Sequence, residues 1–209
     1  MIDGFNVYYS VATCINNGNI QCGKWFDYRG YCEWVTANNP NFPAGSTVHR
    51  VRLYSAIAHH DPDPSVVSRH LVLNQAMAAT NVEVTLGNFK RKRIRCKLPA
   101  CGGRFLKHEE KETDINVAMG VIESLLLDDV DCVVVVSGDT DLVSAVREAR
   151  RFFPSKQVGV LLPAYRQNNE LRREASFHMD ILPGHYEQHQ LPPVIRLPDG
   201  MDLIKPASW

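Results

Sequence analysis

Short apolar runs typical of buried strands alternate along the chain with apolar residues spaced as in helices. The runs are rich in β-branched and aromatic residues and predict strands at residues 47–58, 82–89, 131–138 and 157–163. Between and after them, apolar residues recur every three or four positions and predict helices at residues 65–80, 114–127, 140–152 and 168–175. This alternation predicts an α/β fold in which helices cover both faces of a central parallel sheet.

Two segments depart from this alternation. Residues 90–112 begin with the densely basic KRKRIRCK and continue through LPACGG into a stretch of mixed charge, which predicts a basic loop inserted into the domain. Residues 183–209 are rich in proline and show little periodicity. We therefore expect one domain at residues 1–182, followed by a proline-rich tail that packs on it.

Composition narrows the class of protein. The 209 residues suit a single α/β domain, and 23 basic side chains balance 23 acidic ones, so any nucleic-acid binding must come from a local basic patch. No apolar run approaches the ~20 residues of a membrane span. Six cysteines without a recognisable signal peptide indicate reduced thiols, which predicts a cytoplasmic protein without a membrane partner.

Acidic residues lie at the ends of predicted strands and at the start of a helix. Asp139 and Asp141 come directly after the valine-rich strand, Asp3 follows the apolar start of the chain, and Asp114 opens the helix after the basic segment. Ligands of parallel α/β sheets bind outside the carboxyl ends of the strands, so the four carboxylates are expected to converge on one rim. Converging carboxylates repel one another unless a cation lies between them, and their oxygens suit Mg²⁺ or Mn²⁺.

A structural role explains each aspartate equally well when it is taken alone. Asp114, Asp139 and Asp141 could cap the helices that follow them, and capping is a common use of aspartate. Asp3 could form a turn with Gly4. The coincidence of four carboxylates on one expected rim favours a metal site over four separate caps.

Three separated stretches occur in an order that resembles the NYN-domain family of PIN-like nucleases: IDGFNVYYS, KETDINVAM and VVVVSGDTDLVSAV. The resemblance extends from residue 2 to about residue 180, and the final DGMDLIKPASW resembles the tails of bacterial members. It implies a Rossmann-like, three-layer α/β/α sandwich and Mg²⁺- or Mn²⁺-dependent hydrolysis of RNA phosphodiester bonds. RNA would be the partner, and association into a homodimer is left open.

The resemblance also implies roles for individual residues. It places metal binding and catalysis on an acidic cluster of Asp3, Asp114, Asp139 and Asp141. Asn6 would orient Asp3 or contact the substrate. Ser137 would support the loop after the strand and a phosphate, and Lys111 would contact a phosphate or support the cluster.

The strongest run of positive charge follows the predicted strand at 82–89. It consists of Lys90, Arg91, Lys92, Arg93, Arg95 and Lys97. Lysine and arginine neutralise backbone phosphates without reading sequence, so a run beside a nuclease rim predicts contact with RNA. A solvated surface strand explains the same run without any function.

Two cysteines within the basic segment raise the question of a zinc site. Cys96 and Cys101 have the spacing C-x4-C, and His108 follows them. A structural zinc site needs four ligands, and a fourth is not evident here. We therefore favour thiols packed in a loop over zinc.

Three functions stay open. The expected one is a metal-dependent ribonuclease, and the second is a catalytically weak RNA-binding or scaffold module of the same fold. The third is a phosphatase of the haloacid-dehalogenase type, because SGDTDL resembles its acidic motif. That chemistry needs a second aspartate two residues after the nucleophile, whereas Phe5 stands two residues after Asp3.

The first strand is unusually short in this sequence. Only Met1 and Ile2 precede Asp3, whereas strands usually have about 5–6 residues. We expect either that the strand begins upstream or that the sheet is interrupted there. An interruption would leave the neighbouring strands unpaired and Asp3 poorly held.

Overall fold

Strands and helices alternate through most of the chain, as the apolar pattern predicts. The structure is a computed structural model that describes residues 1–96, 98, 101–127 and 129–209, so that Lys97 lies outside it. The strands are β1 (Ile2–Asp3), β2 (Val51–Ala56), β3 (Val82–Arg95), β4 (Arg104–Lys111), β5 (Cys132–Val136), β6 (Gln157–Leu162), β7 (Phe177–Asp180), β8 (Val194–Arg196) and β9 (Asp202–Ile204). The helices are α1 (Gly4–Asn16), α2 (Tyr28–Asn38), α3 (Pro64–Ala79), α4 (Thr113–Leu126), α5 (Val143–Phe152), α6 (Asn169–Glu174) and α7 (Pro183–Gln188), with a short 3-10 helix at Thr140–Leu142.

The central sheet has the strand order β4-β3-β2-β1-β5-β6-β7. Its strands are parallel, except that β4 runs antiparallel to β3. Parallel neighbours need crossover connections, and helices supply them. The valine-rich run forms β5, where Val133, Val135 and Val136 are buried. The expected α/β fold is therefore confirmed.

Helices cover both faces of the sheet. One core contains Val7 from α1, Tyr31 from α2 and Met77 from α3. The other contains Val121 from α4 and Val146 from α5. This arrangement is the expected three-layer α/β/α sandwich. Within the described residues, no helix combines the length and the apolar character that crossing a membrane would require.

The basic segment forms a two-stranded ribbon. The prediction of a loop at residues 90–112 is therefore wrong for most of that range. β3 pairs with β2 as far as Gly87, and beyond that point it pairs with β4 from Asn88 to Arg95. The ribbon therefore projects past the carboxyl end of β2. Both of its faces meet solvent along much of its length, so its sequence lacks the apolar alternation that would have indicated strands.

Residues 183–209 contain α7 and the antiparallel pair β8–β9. Leu191, Ile195 and Leu203 are buried in the core that α1 and α2 share. The indole N–H of Trp25 donates to the carbonyl of Pro192 at 3.0 Å. These contacts attach the segment to the same side of the sheet as α1.

Within the described residues, the short strand β1 pairs with only part of each neighbouring strand. It pairs with Leu53 and Tyr54 of β2 and, through Ile2, with β5. A cavity of about 700 Å³, whose lining includes Val51 and Val134, lies between the amino-terminal parts of β2 and β5. The seven strands nevertheless form one sheet, in which β1 joins β2 to β5. The expectation that Asp3 is poorly held is wrong, because its carboxylate accepts two hydrogen bonds.

Candidate active site

Two adjacent strands bring the first pair of aspartates together. Asp3 ends β1, and Asp139 lies shortly after the end of β5. Because β1 and β5 are parallel neighbours, both residues lie at the carboxyl edge of the sheet. Asp3 is buried, with 4% of its surface exposed, and Asp139 is half-buried.

Hydrogen bonds fix Asp3 against the loop that follows β5. Its Oδ1 accepts from the backbone N–H of Asn6 at 2.9 Å, and its Oδ2 accepts from the hydroxyl of Ser137 at 2.8 Å. The Ser137 oxygen also accepts from the backbone N–H of Asp139 at 3.0 Å. The side-chain oxygen of Asn6 accepts from the backbone N–H of Gly138 at 2.9 Å. Asn6 and Ser137 therefore hold the two aspartates in fixed relative positions.

Asp3 and Asp139 also act as helix caps. The bond from Asn6 caps α1 through Asp3. Asp139 caps the 3-10 helix by accepting from the backbone N–H of Asp141 at 2.9 Å. Each carboxylate has two oxygens with about four lone-pair positions, so a cap leaves capacity for a ligand. The structural and the functional interpretations of these residues are compatible.

The ribbon brings a third aspartate to the same edge. β4 returns along β3 to the sheet, and α4 begins shortly after it, with Asp114 in its first turn. Asp3, Asp114 and Asp139 each offer a carboxylate oxygen, and these oxygens lie within 4.8 Å of one another. Asp141 is exposed and lies outside this group of three. The structure thus brings together three of the four predicted acidic residues.

Burial and like charge raise the pKa of two members of the group. The pKa of Asp114 rises from 3.8 to about 6, first because of burial and then because of the charges of Asp3 and Asp139. Burial also raises the pKa of Asp3, although its two hydrogen bonds oppose the rise. Both shifts show that ionising the group is unfavourable without a positive charge nearby.

The three carboxylates line a pocket of about 460 Å³ that also has aromatic and basic walls. The aromatic walls come from Phe5, Tyr9 and Phe89, and the basic ones from Lys107, Lys111 and Arg166. Lys111, a predicted phosphate contact, is exposed, and its Nζ lies 3.3 Å from Glu109. The pocket therefore combines oxygen ligands with cations that could meet a phosphate.

Sequence reasoning missed several pocket residues, among them Glu110 and Arg166. The carboxylate of Glu110 accepts hydrogen bonds from the backbone N–H of Thr113, at 3.1 Å, and from its hydroxyl. The guanidinium of Arg166 lies 5.7 Å from the ring centroid of Tyr9, and its buried Nε has no hydrogen-bond partner among the described residues. The acid-rich HEEKET could have indicated Glu110, whereas no local pattern singles out Arg166.

The predicted RNA-contacting cations extend along the ribbon, beside the acidic pocket. They are Lys90, Arg91, Lys92, Arg93 and Arg95, and all are exposed. Arg91 lines a neighbouring cavity together with His60 and His108. Lys92 lies 3.2 Å from Glu109 in an ion pair. The structure thus places this charge on the ribbon that also supplies Phe89 and Lys107 to the pocket wall, outside the group of carboxylates.

The two ribbon cysteines lie near its tip as free thiols. The backbone N–H of Cys96 donates to the carbonyl of Gly103, two residues after Cys101, at 2.8 Å. His108 lies farther along β4, where its ring stacks on His60 with centroids 4.0 Å apart. This histidine contributes to an aromatic surface near the acidic pocket.

Comparison with known proteins gives a family match over most of the chain. The family model of the NYN domain matches residues 1–182. A 6-hydroxy-3-succinoylpyridine 3-monooxygenase from Pseudomonas putida is 33% identical over 108 residues, a match that covers 49% of this chain and 34% of the relative. The chain thus spans about a third of that protein's length.

A solved structure resembles the fold over most of the chain. It is the crystal structure of VPA0982, a protein of unknown function from Vibrio parahaemolyticus, with a TM-score of 0.52 and 24% sequence identity. The match covers 87% of this chain and 90% of the other. At this identity the likeness shows the fold alone.

Proposed function

The chain belongs to the NYN domain family, a family of PIN-like nucleases, and we propose that it is a metal-dependent ribonuclease. The proposed reaction is hydrolysis of a phosphodiester bond of RNA. The observation that carries the proposal is the group of carboxylate oxygens from Asp3, Asp114 and Asp139, which lie within 4.8 Å of one another. This group lines a pocket at the carboxyl edge of the sheet, where α/β proteins bind their ligands.

The donor set fits a hard divalent cation. Carboxylate oxygens are the ligands that Mg²⁺ and Mn²⁺ prefer, usually with water completing the coordination. The raised pKa of Asp114 supports this assignment, because a cation would relieve the repulsion that contributes to the shift. When bound, such an ion supplies Lewis-acid stabilisation of phosphoryl charge and activates water. Asp141 lies outside the group, so we propose that it contributes to cation binding only through its charge.

Two basic residues on the pocket wall are suited to hold the phosphate. A phosphate oxygen would satisfy the buried Nε of Arg166, which has no partner within the described part of the chain. Lys111 would turn from Glu109, 3.3 Å away, towards the same phosphate, since the lysine side chain is 48% exposed and an ion pair near the surface is weak. Asn6 and Ser137 are positioning residues, because they hold Asp3 against the loop after β5.

The basic ribbon is suited to follow the RNA backbone beyond the cleaved bond. Its cations, Lys90 to Arg95 on β3, are exposed, and one of them, Arg91, lines the cavity beside the pocket. The chain carries 23 basic and 23 acidic side chains, so this local cluster supplies attraction that the whole molecule does not. We propose that these cations set the register of the RNA without reading its sequence.

A catalytically weak RNA-binding module is the second candidate function, and the same ribbon supports it. It differs from the first in one outcome, which is binding of RNA without cleavage. Monooxygenase activity is not proposed here, because the match covers 34% of the Pseudomonas enzyme. The carboxylate group supports hydrolysis more directly, since it forms a ligand set for hard divalent cations.

The test is cleavage of a labelled single-stranded RNA in Mn²⁺, Mg²⁺ or EDTA. We expect cleavage with either metal and none in EDTA. Asp114→Asn and Asp139→Asn should each lower the rate more than about 100-fold, because each removes a ligand charge. Asp131→Asn is the matched control, since Asp131 is exposed and precedes β5 at the opposite edge of the sheet. RNA binding by the folded wild type without metal-dependent cleavage would favour the binding module and contradict the nuclease.

A further inference from the structure

We propose that a second pocket, beside the carboxylates, binds one unpaired base of single-stranded RNA next to the cleaved phosphate. The proposal rests on the ribonuclease function proposed above. The pocket lies between α1 and α3 and has a volume of about 370 Å³. This volume falls in the range of pockets that hold small organic ligands. We call it the base pocket.

The base pocket is continuous with the acidic pocket. Phe5, Tyr9, Phe89 and His108 line both of them. A phosphate held at the carboxylates therefore places the adjoining nucleotide over these four rings. Phe5 lies two residues after Asp3, so the start of α1 carries both a metal-binding side chain and a wall of the base pocket.

Aromatic rings surround the base pocket in several orientations. The Phe5 and Phe89 rings meet edge to face with centroids 5.8 Å apart, and the His60 ring lies 4.5 Å from that of Phe89. The Tyr8 and Tyr9 rings meet at 5.6 Å, and these two side chains are 37% and 53% exposed. Every base has a π face that stacks on such rings, which makes the arrangement suited to a base of any sequence.

Polar and basic groups complete the recognition of a nucleotide. Burial lowers the pKa of His70, so its neutral ring offers one donor and one acceptor nitrogen from α3. The amide of Asn74, on the same helix, also lines the base pocket and offers both kinds of group. The ammonium of Lys24 lies 5.6 Å from the centroid of Tyr8, where it can meet the next phosphate. A base edge matches this mixture of donors and acceptors.

A base can enter such a pocket only when it is unpaired. In a double helix the Watson–Crick edge is occupied and the faces are stacked on neighbouring bases, so insertion would require unstacking. The substrate class that follows is single-stranded RNA, including loops and unpaired ends. A duplex would reach the ribbon cations without filling the base pocket.

The test measures binding of two RNA octamers in EDTA, so that cleavage does not interfere. One octamer carries its bases, and the other is abasic with the same phosphates. The folded wild type should bind the base-bearing octamer about tenfold more tightly, which is the size of a stacking contribution. Tyr8→Ala and Phe89→Ala should reduce this preference to about twofold or less. Phe152→Ala is the matched control, because Phe152 is an exposed aromatic residue on α5, away from both pockets, and should keep the preference.

The outcomes separate this proposal from the nuclease itself. A tenfold preference that persists unchanged in both pocket variants, with circular dichroism showing that they fold, would overturn the base pocket, as would equal binding of the two octamers by the wild type. Metal-dependent cleavage combined with equal binding would overturn the base pocket alone. A preference that depends on Tyr8 and Phe89 without any cleavage would overturn the nuclease and leave the base pocket established.

Discussion

Replacing Asp114 by asparagine should make the metal-free protein more stable near pH 8, although it alters the candidate site. The pKa of Asp114 is raised from 3.8 to about 6 by burial and by the charges of Asp3 and Asp139. One pKa unit corresponds to ~1.4 kcal/mol, so the whole shift corresponds to ~3 kcal/mol. Because Asp114 is only half-buried, solvent screening reduces this to about 1–2 kcal/mol. For a protein of this size, the melting temperature should rise by roughly 2–8 °C.

The extra stability of Asp114→Asn over the wild type should increase as the pH rises. A carboxyl group whose pKa is higher in the folded than in the unfolded state binds its proton more tightly when folded. The stability that wild-type Asp114 contributes is therefore present below its ordinary pKa of 3.8 and is lost as the pH rises through about 6. Asparagine does not titrate, so the difference between the two proteins should be smaller at pH 5 than at pH 8.

Thermal unfolding in EDTA at pH 5 and pH 8, followed by circular dichroism, measures this difference. Asp141→Asn is the control, because it removes the same charge from an exposed position outside the group of three. It should change the free energy of unfolding by less than ~0.5 kcal/mol. Adding Mn²⁺ should stabilise the wild type more than Asp114→Asn, because the ion binds the folded site. The reasoning would be refuted if Asp114→Asn melted at a lower temperature than the wild type at pH 8. It would also be refuted if the gain in melting temperature over the wild type were as large at pH 5 as at pH 8.

Two further predictions concern the positioning residue Ser137 and the ribbon cation Arg93. Ser137→Ala removes the hydroxyl that lies 2.8 Å from Asp3 Oδ2 and 3.0 Å from the amide of Asp139, so the affinity for Mn²⁺ should fall about 10–100-fold in isothermal titration calorimetry. An unchanged affinity would mean that the hydroxyl does not position these ligands. Arg93 lies on the exposed ribbon, and the affinity for single-stranded RNA should fall less steeply with salt in Arg93→Ala. The magnitude of the slope of log affinity against log salt concentration should decrease by ~0.7. A constant slope, from binding measured at several salt concentrations, would place the RNA elsewhere.

The centre of the sheet could be predicted from the sequence, whereas the ribbon could not. β5 and β6 are largely buried, and strands in that position must be apolar, which makes them visible as continuous runs. The ribbon consists of the outer half of β3 and the whole of β4. Backbone pairing and contacts such as the ion pair of Lys92 with Glu109 at 3.2 Å hold its two strands together. Such contacts do not require apolar residues at regular spacing, so the sequence of this segment resembles that of a charged loop.

The same distinction holds within the candidate site. Asp139 could be predicted because it follows a recognisable strand. Asp3 could be predicted from the IDGFN stretch and not from a strand pattern, because β1 has only two residues. The topology makes the two strands neighbours. Asp141 is exposed because residues two apart in a helical turn do not face the same side. Glu110 and Arg166 reach the pocket through the pairing of β4 and the loop after β6, which no local pattern specifies.

The contacts that cap the helices also arrange the candidate ligands. The backbone N–H of Asn6 fixes one oxygen of Asp3, and the side chain of the same asparagine fixes Gly138 at 2.9 Å, just before Asp139. Formation of the first turn of α1 therefore positions the loop after β5 as well. A site whose ligands are ordered during folding does not have to order them when an ion binds, which strengthens binding. Helix capping, which alone would explain Asp3 and Asp139, thus becomes the means by which two of the three carboxylates are held at the proposed cation site.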